Sequence, residues 1–290
     1  MEVRKALRAM LDRKEVILAL GAYDALTALI VESLGFKACY MGGWITGAHL
    51  GITEPRMTLT EQVSNAAWVT KAIKIPLIVD ADAGFGDALH TMRCVKEFEF
   101  AGVSAIHIED QLFPKRAHYH KGVKHVIPLE EFLEKLHAAL EARTDPDFLI
   151  IARTDARGMV GGSLKEAIRR CQAFAEAGAD VIMPSGSAMD TEELKIVRRE
   201  VPNVPILGVS APSRKVAEEI GVQIVLHALA SALVAADAVM DFYQKFMETG
   251  ELEMFPTSHL REVATKIQEL IGLPGYYKVE EATTEKRWKK

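Results

Sequence analysis

Two aspartates at the end of an apolar run form the clearest candidate site in this sequence. Residues 75–79 predict a buried strand, and Asp80 and Asp82 follow it, just before the turn Gly84-Phe85-Gly86. Alternate residues of a strand point to one side, so these carboxylates begin together and would repel each other without a cation between them. Oxygen ligands of this kind suit Mg²⁺ or Mn²⁺. Taken alone, the segment is equally typical of an acidic strand-to-helix turn with a helix cap.

Polar residues near the ends of two further predicted strands extend this pattern. His107 and Glu109 share one side of the fourth strand, and Arg153 closes the fifth. An arginine there could bind a substrate carboxylate through two parallel hydrogen bonds, or it could pair with Glu109 or Asp155 instead. A single strand histidine is usually a hydrogen-bonded core residue, but the neighbouring polar strand ends favour a site.

Glycines and ring side chains mark two more strand ends. Tyr40 ends the second strand, and the backbone N–H groups of Gly42 and Gly43 could face an oxyanion, although a tight turn explains them equally well. His227 follows the eighth strand, where it could reach the pocket or cap the chain.

A long polar loop lies between the fourth and fifth strands. Residues 111–122 carry Lys115, Tyr119 and two histidines, His118 and His120. Long loops in compact domains are often lids over active sites, and a mobile surface loop is the alternative.

Short apolar runs alternate with amphipathic ones along the chain and predict its architecture. Strands are expected near residues 16–20, 37–41, 77–80, 105–108, 148–152, 180–183, 205–208 and 222–226. Helices are expected at the N-terminus and over 24–34, 58–71, 89–101, 128–142, 163–177, 191–200, 213–220 and 228–247. Several helices end at a glycine just before the next strand, which indicates a repeated unit. Eight such units predict a closed α/β barrel, a (β/α)8 TIM-type fold over residues 1–249; a doubly wound open sheet is the alternative.

The remaining residues, 250–290, predict a C-terminal helical extension that ends in a charged, solvated and disordered tail. The composition is that of a globular protein, with 49% hydrophobic and 26% charged residues among 290. The net charge of −5 makes nucleic acid an unexpected partner. We expect no membrane segment and no signal peptide. Cys39, Cys94 and Cys171 lack metal or redox spacing, which indicates buried free thiols in a reducing cytoplasm.

Several motifs taken in order resemble the isocitrate lyase / phosphoenolpyruvate mutase superfamily from about residue 14 to residue 247. They are Gly21-Ala22-Tyr23-Asp24-Ala25-Leu26, Asp80-x-Asp82-x-Gly84-x-Gly86, His107-x-Glu109-Asp110-Gln111, Pro114-Lys115-Arg116 and Ala152-Arg153-Thr154-Asp155-Ala156. The resemblance implies an (α/β)8 barrel whose eighth helix is swapped with a neighbour, giving homodimers or homotetramers. It also implies Mg²⁺ and enolate chemistry on small 2-oxo or 2-hydroxy carboxylates.

The resemblance also implies roles for the candidate metal ligands. Asp80 would bind the metal directly, and Asp82 and Glu109 would act through bound waters. Glu54 is the nearest match to a further acid that relatives carry after the second strand, often as an aspartate.

Substrate contacts are implied in the same way. Tyr40, Gly42 and Gly43 resemble the segment that holds the substrate carboxylate and 2-oxygen, with Gly42 where relatives usually have serine. Arg153 resembles a substrate-side arginine, and His107 resembles a histidine near the metal-bound oxygen.

Three departures from the family pattern bear on the substrate. The lyase loop carries a cysteine proton donor, whereas this chain has Lys115-Arg116-Ala117-His118-Tyr119. Lyases show Pro-Glu after the sixth strand and asparagine after the seventh, whereas this chain has Pro184-Ser185 and Gly208-Val209-Ser210. These losses argue against isocitrate or methylisocitrate and leave water, Tyr119, His118 or an acid as the proton source.

The sequence therefore predicts a Mg²⁺-dependent (or Mn²⁺-dependent) lyase or decarboxylase that acts on a small carboxylate through an enolate stabilised by the metal. Lys115 and Tyr119 join Tyr40, His107 and Arg153 as its expected catalytic residues. A phosphonate mutase or hydrolase is one alternative, a ketopantoate hydroxymethyltransferase-like barrel is a weaker one, and a barrel that binds a metal and a carboxylate without catalysis is another.

Overall fold

A computed structural model describes residues 2–115, 125–184, 189–209, 213–251 and 256–288. Eight strands lie in these ranges: β1 Ile17–Gly21, β2 Ala38–Met41, β3 Leu77–Asp80, β4 Ala105–Glu109, β5 Leu149–Arg153, β6 Val181–Met183, β7 Leu207–Val209 and β8 Ile224–His227. The helices that follow the N-terminal α1, Glu2–Asp12, through the barrel are α2 Ala25–Ser33, α3 Gly43–His49, α4 Leu59–Ala72, α5 Ala88–Phe100, α6 Leu129–Ala142, α7 Leu164–Glu176, α8 Thr191–Glu200, α9 Arg214–Ile220 and α10 Ala230–Thr249. Beyond the barrel lie α11 Thr257–Leu270, α12 Leu273–Ala282 and α13 Thr284–Trp288.

The strands form one parallel sheet in the order β6-β5-β4-β3-β2-β1-β8-β7. A parallel bridge between Ile182 and Ile206 joins the two ends of that order, so the sheet is a nearly closed barrel. The predicted eight-stranded barrel is confirmed, and the open doubly wound alternative is wrong.

Glycines end several helices in the way that the sequence predicts. Gly35, Gly102, Gly178 and Gly221 have φ values of 84°, 84°, 96° and 83°, in the left-handed region where a side chain would be strained. Each glycine therefore turns the chain from a helix toward the next strand.

The core has two layers that follow the alternation of strand residues. Residues such as Val79, Ile106 and Ile150 pack outward against the helices. Residues such as Ile78, Ala105 and Ile151 point into the barrel interior. Leu7, Met10 and Leu11 of α1 join that interior cluster, so the N-terminal helix closes the bottom of the barrel.

The C-terminal region differs from the barrel in its packing. Ala232 is the only buried residue of α10, and α11, α12 and α13 bury none of their described residues. The disordered tail predicted for the last ten residues is wrong for 281–288, which are largely helical. The division into 1–249 and 250–290 stays a prediction.

Two further expectations concern the surface and the thiols. Cys39, Cys94 and Cys171 are free and buried, as predicted. Among the described residues, no helix combines the length and the apolar character that a membrane crossing requires.

Candidate active site and metal centre

The carboxyl ends of the parallel strands bring the predicted site residues together. Across β3 and β4, Asp80 is paired in register with His107, and across β4 and β5, Glu109 is paired with Arg153. Each lies two or four residues after an interior residue of the same strand, namely Ile78, Ala105 or Ile151, so the side chains point into the barrel mouth. Catalytic residues of this fold lie at the same end of the strands.

Three of these side chains form a buried group that could hold a metal ion. Asp80, His107 and Glu109 each offer a ligand atom, and the three atoms lie within 4.8 Å of one another. Asp80 is 5% exposed, and His107 and Glu109 are 0% exposed. The sequence predicts His107 as a catalytic residue near the metal-bound oxygen, and its register pairing with Asp80 brings it into ligand range.

The loop after β3 places Asp82 beside Asp80 by a sharp turn. β3 ends at Asp80, and Asp82 has φ of 51°, so simple strand alternation does not apply to this pair. The Asp82 N–H donates to Asp80 Oδ1 at 2.8 Å, and the Glu109 N–H donates to the Asp82 carbonyl at 3.0 Å. The cap of the next helix is Asp87, whose Oδ1 accepts from the His90 N–H. The capping explanation for Asp80 and Asp82 is therefore unnecessary.

Two side chains that the sequence does not single out donate hydrogen bonds to backbone carbonyls of this loop. Gln62 of α4 donates from Nε2 to the Asp80 carbonyl at 3.0 Å, and Lys135 of α6 donates to the Ala83 carbonyl. Gln62 is 0% exposed and Lys135 is 4% exposed. The polar residue on the otherwise apolar inner face of each helix is the signal that could have revealed them.

Glu54 enters the site from the 3-10 turn Glu54–Arg56 and is itself buried. A Cβ built on Gly43 would lie 2.2 Å from Glu54 Oε1, so a glycine is required for this approach. The Gly43 N–H donates to Asp80 Oδ2 at 3.2 Å, and its role toward a substrate oxyanion stays a prediction. Gly42 is the N-cap residue of α3. A Cβ added to Gly42 would lie 3.1 Å from the Tyr40 ring.

Tyr40 and His107 form a buried pair in the barrel mouth. Tyr40 Oη and His107 Nε2 are hydrogen-bonded at 2.9 Å, and the rings stack with centroids 5.8 Å apart. Burial raises the pKa of Tyr40 well above its usual value, so the phenol stays protonated. Burial also lowers the pKa of His107 to about 4, so the imidazole is neutral near pH 7.

Lys115 lies among the acidic side chains at the end of the described part of its loop. Its Nζ is 2.6 Å from Glu54 Oε1 and 3.3 Å from Glu109 Oε1. It is 3.6 Å from Asp82 Oδ2 and 3.8 Å from Asp80 Oδ2. Burial opposes its charge, but the carboxylates outweigh burial and raise the pKa of Lys115 well above its usual value.

Arg153 makes both of the ion pairs that the sequence left open. Its Nη1 is 2.8 Å from Glu109 Oε2, and its Nη2 is 2.9 Å from Asp155 Oδ2. Burial would raise the pKa of Asp80, but the nearby Lys115, His107 and Arg153 together hold it well below its usual value. For Glu109, complete burial outweighs Arg153 and Lys115 and raises the pKa.

The residues present fit a divalent cation. Both Glu109 carboxylate oxygens and His107 Nδ1 are buried without a hydrogen-bond partner among the described residues, although cations lie near Glu109. Carboxylate oxygens and a neutral imidazole suit Mg²⁺ or Mn²⁺. Glu54, a further expected ligand, lies within the same group of acids, with its Oε1 2.6 Å from Lys115 Nζ.

Some predicted site residues fall outside the described part of the chain. Tyr119, His118 and His120 lie in 116–124, and Ser185 and Ser210 lie in two other such ranges. His227 ends β8 half-buried, in register with Leu20 of β1, and its role stays a prediction.

Comparisons with known proteins identify similar sequences and structures. The phosphoenolpyruvate phosphomutase family model matches residues 7–247. The chain is 39% identical to the 2,3-dimethylmalate lyase of Eubacterium barkeri, covering 84% of this chain and 86% of that protein. It is 34% identical to the 2-methylisocitrate lyase of Aeropyrum pernix, covering 94% and 88%. A solved phosphonopyruvate hydrolase in complex with oxalate and Mg²⁺ superimposes with a TM-score of 0.85 at 28% identity, covering 97% of this chain and 99% of that one.

The match spans the whole barrel and includes every strand that carries a candidate ligand or catalytic side chain. The similar proteins include carbon–carbon lyases and a phosphonate hydrolase. The chain belongs to the isocitrate lyase / phosphoenolpyruvate mutase superfamily.

Proposed function

We propose that the protein is a Mg²⁺-dependent lyase that cleaves a carbon–carbon bond of a small 2-hydroxy or 2-oxo carboxylate, with a substituted malate as the first candidate. The observation that carries this proposal is the buried group of Asp80, His107 and Glu109 at the barrel mouth. The likeness to a 2,3-dimethylmalate lyase over most of both chains supports the substrate class. Mn²⁺ is the alternative ion.

The metal would be held by this group, with Asp80 as the expected direct ligand. Asp82 and Glu54 would contribute through the surrounding waters, as would Glu109 if it is not itself a direct ligand. A divalent cation bound here would withdraw electrons from the substrate's 2-oxygen and so favour cleavage at the neighbouring carbon.

Two of the chain's own residues would act on the same oxygen and on the substrate carboxylate. Because the Tyr40 phenol stays protonated, it would donate a hydrogen bond to the 2-oxygen, and neutral His107 would orient that phenol. Arg153 would hold Glu109 in place and present its remaining N–H groups to the substrate.

The bond changes follow from the substrate class. In a 2-hydroxy acid, the hydroxyl loses its proton, the C2–C3 bond breaks, and C2 becomes the carbonyl of a 2-oxo acid. The electron pair moves to C3 of the second product, which then takes up a proton. Tyr119 and His118 stay predictions for that proton transfer, since Ala117 stands where the resemblance leads us to expect a thiol.

A decarboxylase is the second candidate, and the same missing thiol favours it. In oxaloacetate, the C3–C4 bond would break, CO₂ would leave, and the electron pair at C3 would give pyruvate after protonation. Water could supply that proton, so a thiol donor would not be needed.

The test is Mg²⁺-dependent pyruvate release from 2,3-dimethylmalate, other malates that carry a methyl group at C2, oxaloacetate and phosphonopyruvate. Asp80→Ala should abolish release, and Asp12→Ala, an exposed acid of α1, should leave it unchanged. Release from oxaloacetate alone would assign the decarboxylase, and release from phosphonopyruvate would assign the phosphonate hydrolase. Mg²⁺ binding without turnover of any compound would favour the non-catalytic binder, and release that survives Asp80→Ala would refute the site.

We also propose that the chain forms a homodimer or homotetramer. The 20-residue helix α10 buries only Ala232, while Leu233, Met240 and Met247 on it are 53%, 64% and 81% exposed. Apolar surface of this extent is typical of a helix that packs on a second copy.

A further inference from the structure

Lys115 places its ammonium group at the centre of the acids that the proposed function assigns to the metal. Its Nζ lies within 4 Å of Glu54, Asp80, Asp82 and Glu109, and the residue is only 2% exposed. No two of these acids come from the same β-strand, so the lysine reaches a point on which separate parts of the fold converge.

This position has an electrostatic reason. Four carboxylates buried in one pocket repel one another unless positive charge is placed among them. Arg153 pairs with Glu109 but also with Asp155, so Lys115 is the described cation that reaches the other three acids.

A divalent cation would need the same oxygens. Metal ligands must direct their lone pairs at the ion, whereas Lys115 Nζ already lies 3.3 Å from Glu109 Oε1 and 3.8 Å from Asp80 Oδ2. An ammonium group and a divalent cation a few ångströms apart would also repel strongly in this buried pocket. The two cations therefore exclude each other from the centre of the group.

We propose that Lys115 is a built-in competitor of the divalent cation, whose ammonium group holds the acidic pocket together until a metal ion displaces it. The inference rests on the proposed function, since it concerns the same metal pocket. The apparent metal affinity would then be the intrinsic affinity reduced by the fraction of molecules in which the lysine has withdrawn. Metal binding would also free the amine, so Lys115 would reach substrate only in the metal-loaded protein.

Metal titration provides the first test. Mn²⁺ binding is measured by calorimetry on the full chain, on Lys115→Met and on Lys74→Met, which removes an exposed lysine. We expect at least tenfold tighter binding by Lys115→Met, about 1.4 kcal/mol, and no change for Lys74→Met. Equal or weaker Mn²⁺ binding by Lys115→Met would overturn the proposal, because removing an ammonium group that competes for the site should raise the metal affinity.

Amine labelling provides a second test that needs no variant at the site. The wild-type protein is acetylated with and without Mn²⁺, and the modification of each lysine is measured by mass spectrometry. Lys115 should be protected without metal and become reactive with it, whereas Lys135 should stay protected and Lys74 should react in both states. Protection of Lys115 that persists at saturating Mn²⁺ would contradict displacement.

The two tests separate this inference from the proposed reaction. Tighter Mn²⁺ binding and released Lys115, in a protein that yields no pyruvate, would support the competition and refute the lyase. Pyruvate release together with unchanged Mn²⁺ affinity in Lys115→Met would support the lyase and refute the competition. Failure of the wild type and of Lys115→Met to bind Mn²⁺ would overturn both.

Discussion

The guanidinium of Arg153 and the carboxylate of Glu109 face each other across neighbouring strands, with Nη1 and Oε2 2.8 Å apart. The residue expected to bind substrate therefore also neutralises a candidate metal ligand. Replacing Arg153 by Met would leave Glu109 and Asp155 buried with less compensating charge, which typically costs about 3–5 kcal/mol. We expect kcat/KM for pyruvate release to fall at least a hundredfold and urea unfolding to occur at lower urea.

Arg153→Lys separates the two roles of this side chain. A lysine keeps the charge but cannot bridge Glu109 and Asp155 with a planar fork, so it should recover stability more than kcat/KM. Arg157→Met, which breaks a partly exposed pair with Glu193, controls for loss of an arginine. Full activity of Arg153→Met would show that the arginine serves the fold alone.

Gly43 offers a test of the approach of Glu54. An added methyl group would lie 2.2 Å from Glu54 Oε1, so Glu54 must move away from Lys115 and the other acids. We expect Gly43→Ala to weaken Mn²⁺ binding at least tenfold while the protein still folds. Gly158→Ala should leave binding unchanged, since a Cβ there meets no atom within 4 Å. Unchanged binding in Gly43→Ala would show that Glu54 is not needed for the metal.

Strand periodicity and the glycine-terminated helices were sufficient to predict the barrel. Side chains at the ends of parallel strands converge by geometry alone, so Asp80, His107, Glu109 and Arg153 were found correctly as neighbours. Their positions follow from register, which the apolar runs determine.

The finer arrangement of the site depends on contacts that no local pattern encodes. Gln62 and Lys135 support the loop after β3 from separate helices, and although each interrupts an apolar helix face, nothing local shows which carbonyl it binds. The sequence does not predict the helix that begins at Gly43, because seven residues, two of them glycine, give little periodicity. The position of Lys115 depends on the summed charge of four acids, which appears only when the fold brings them together.

The exposed apolar side of α10 leads to a prediction about assembly. Leu233, Met240 and Met247 lie on one stripe of the helix and are mostly exposed. We expect light scattering to give the mass of a dimer or tetramer for the wild type and of a monomer for the double variant Leu233→Glu, Met240→Glu. Ala238→Glu on the opposite side of the helix should stay oligomeric. A wild-type protein that is monomeric at micromolar concentration would contradict this prediction.

Glu166 links pH to stability at a distance from the metal pocket. Hydrogen bonds from Arg169, opposed by partial burial and aided by Arg170, lower the pKa of Glu166 to about 2. Because this folded-state pKa is below the usual value of 4.5, the ionised carboxylate stabilises the fold above pH 4.5, and that contribution is lost as the pH falls toward 2. Since the side chain is 29% exposed, we expect Glu166→Gln to lower the unfolding free energy by only about 0.5–1 kcal/mol at pH 7.

The pH dependence distinguishes this ion pair from a simple packing effect. The difference in unfolding free energy between wild type and Glu166→Gln, measured in urea, should shrink steadily from about pH 4.5 to pH 2, because over that range the carboxyl is protonated in the unfolded chain while it is still ionised in the folded one. Glu176→Gln, an exposed acid at the other end of α7, should show little difference at any pH. Arg170 also pairs with Asp110 at 3.1 Å, so it stays anchored when Glu166 is neutral and the loss remains local. A difference that is constant with pH would mean that Glu166 stabilises α7 by contacts other than charge.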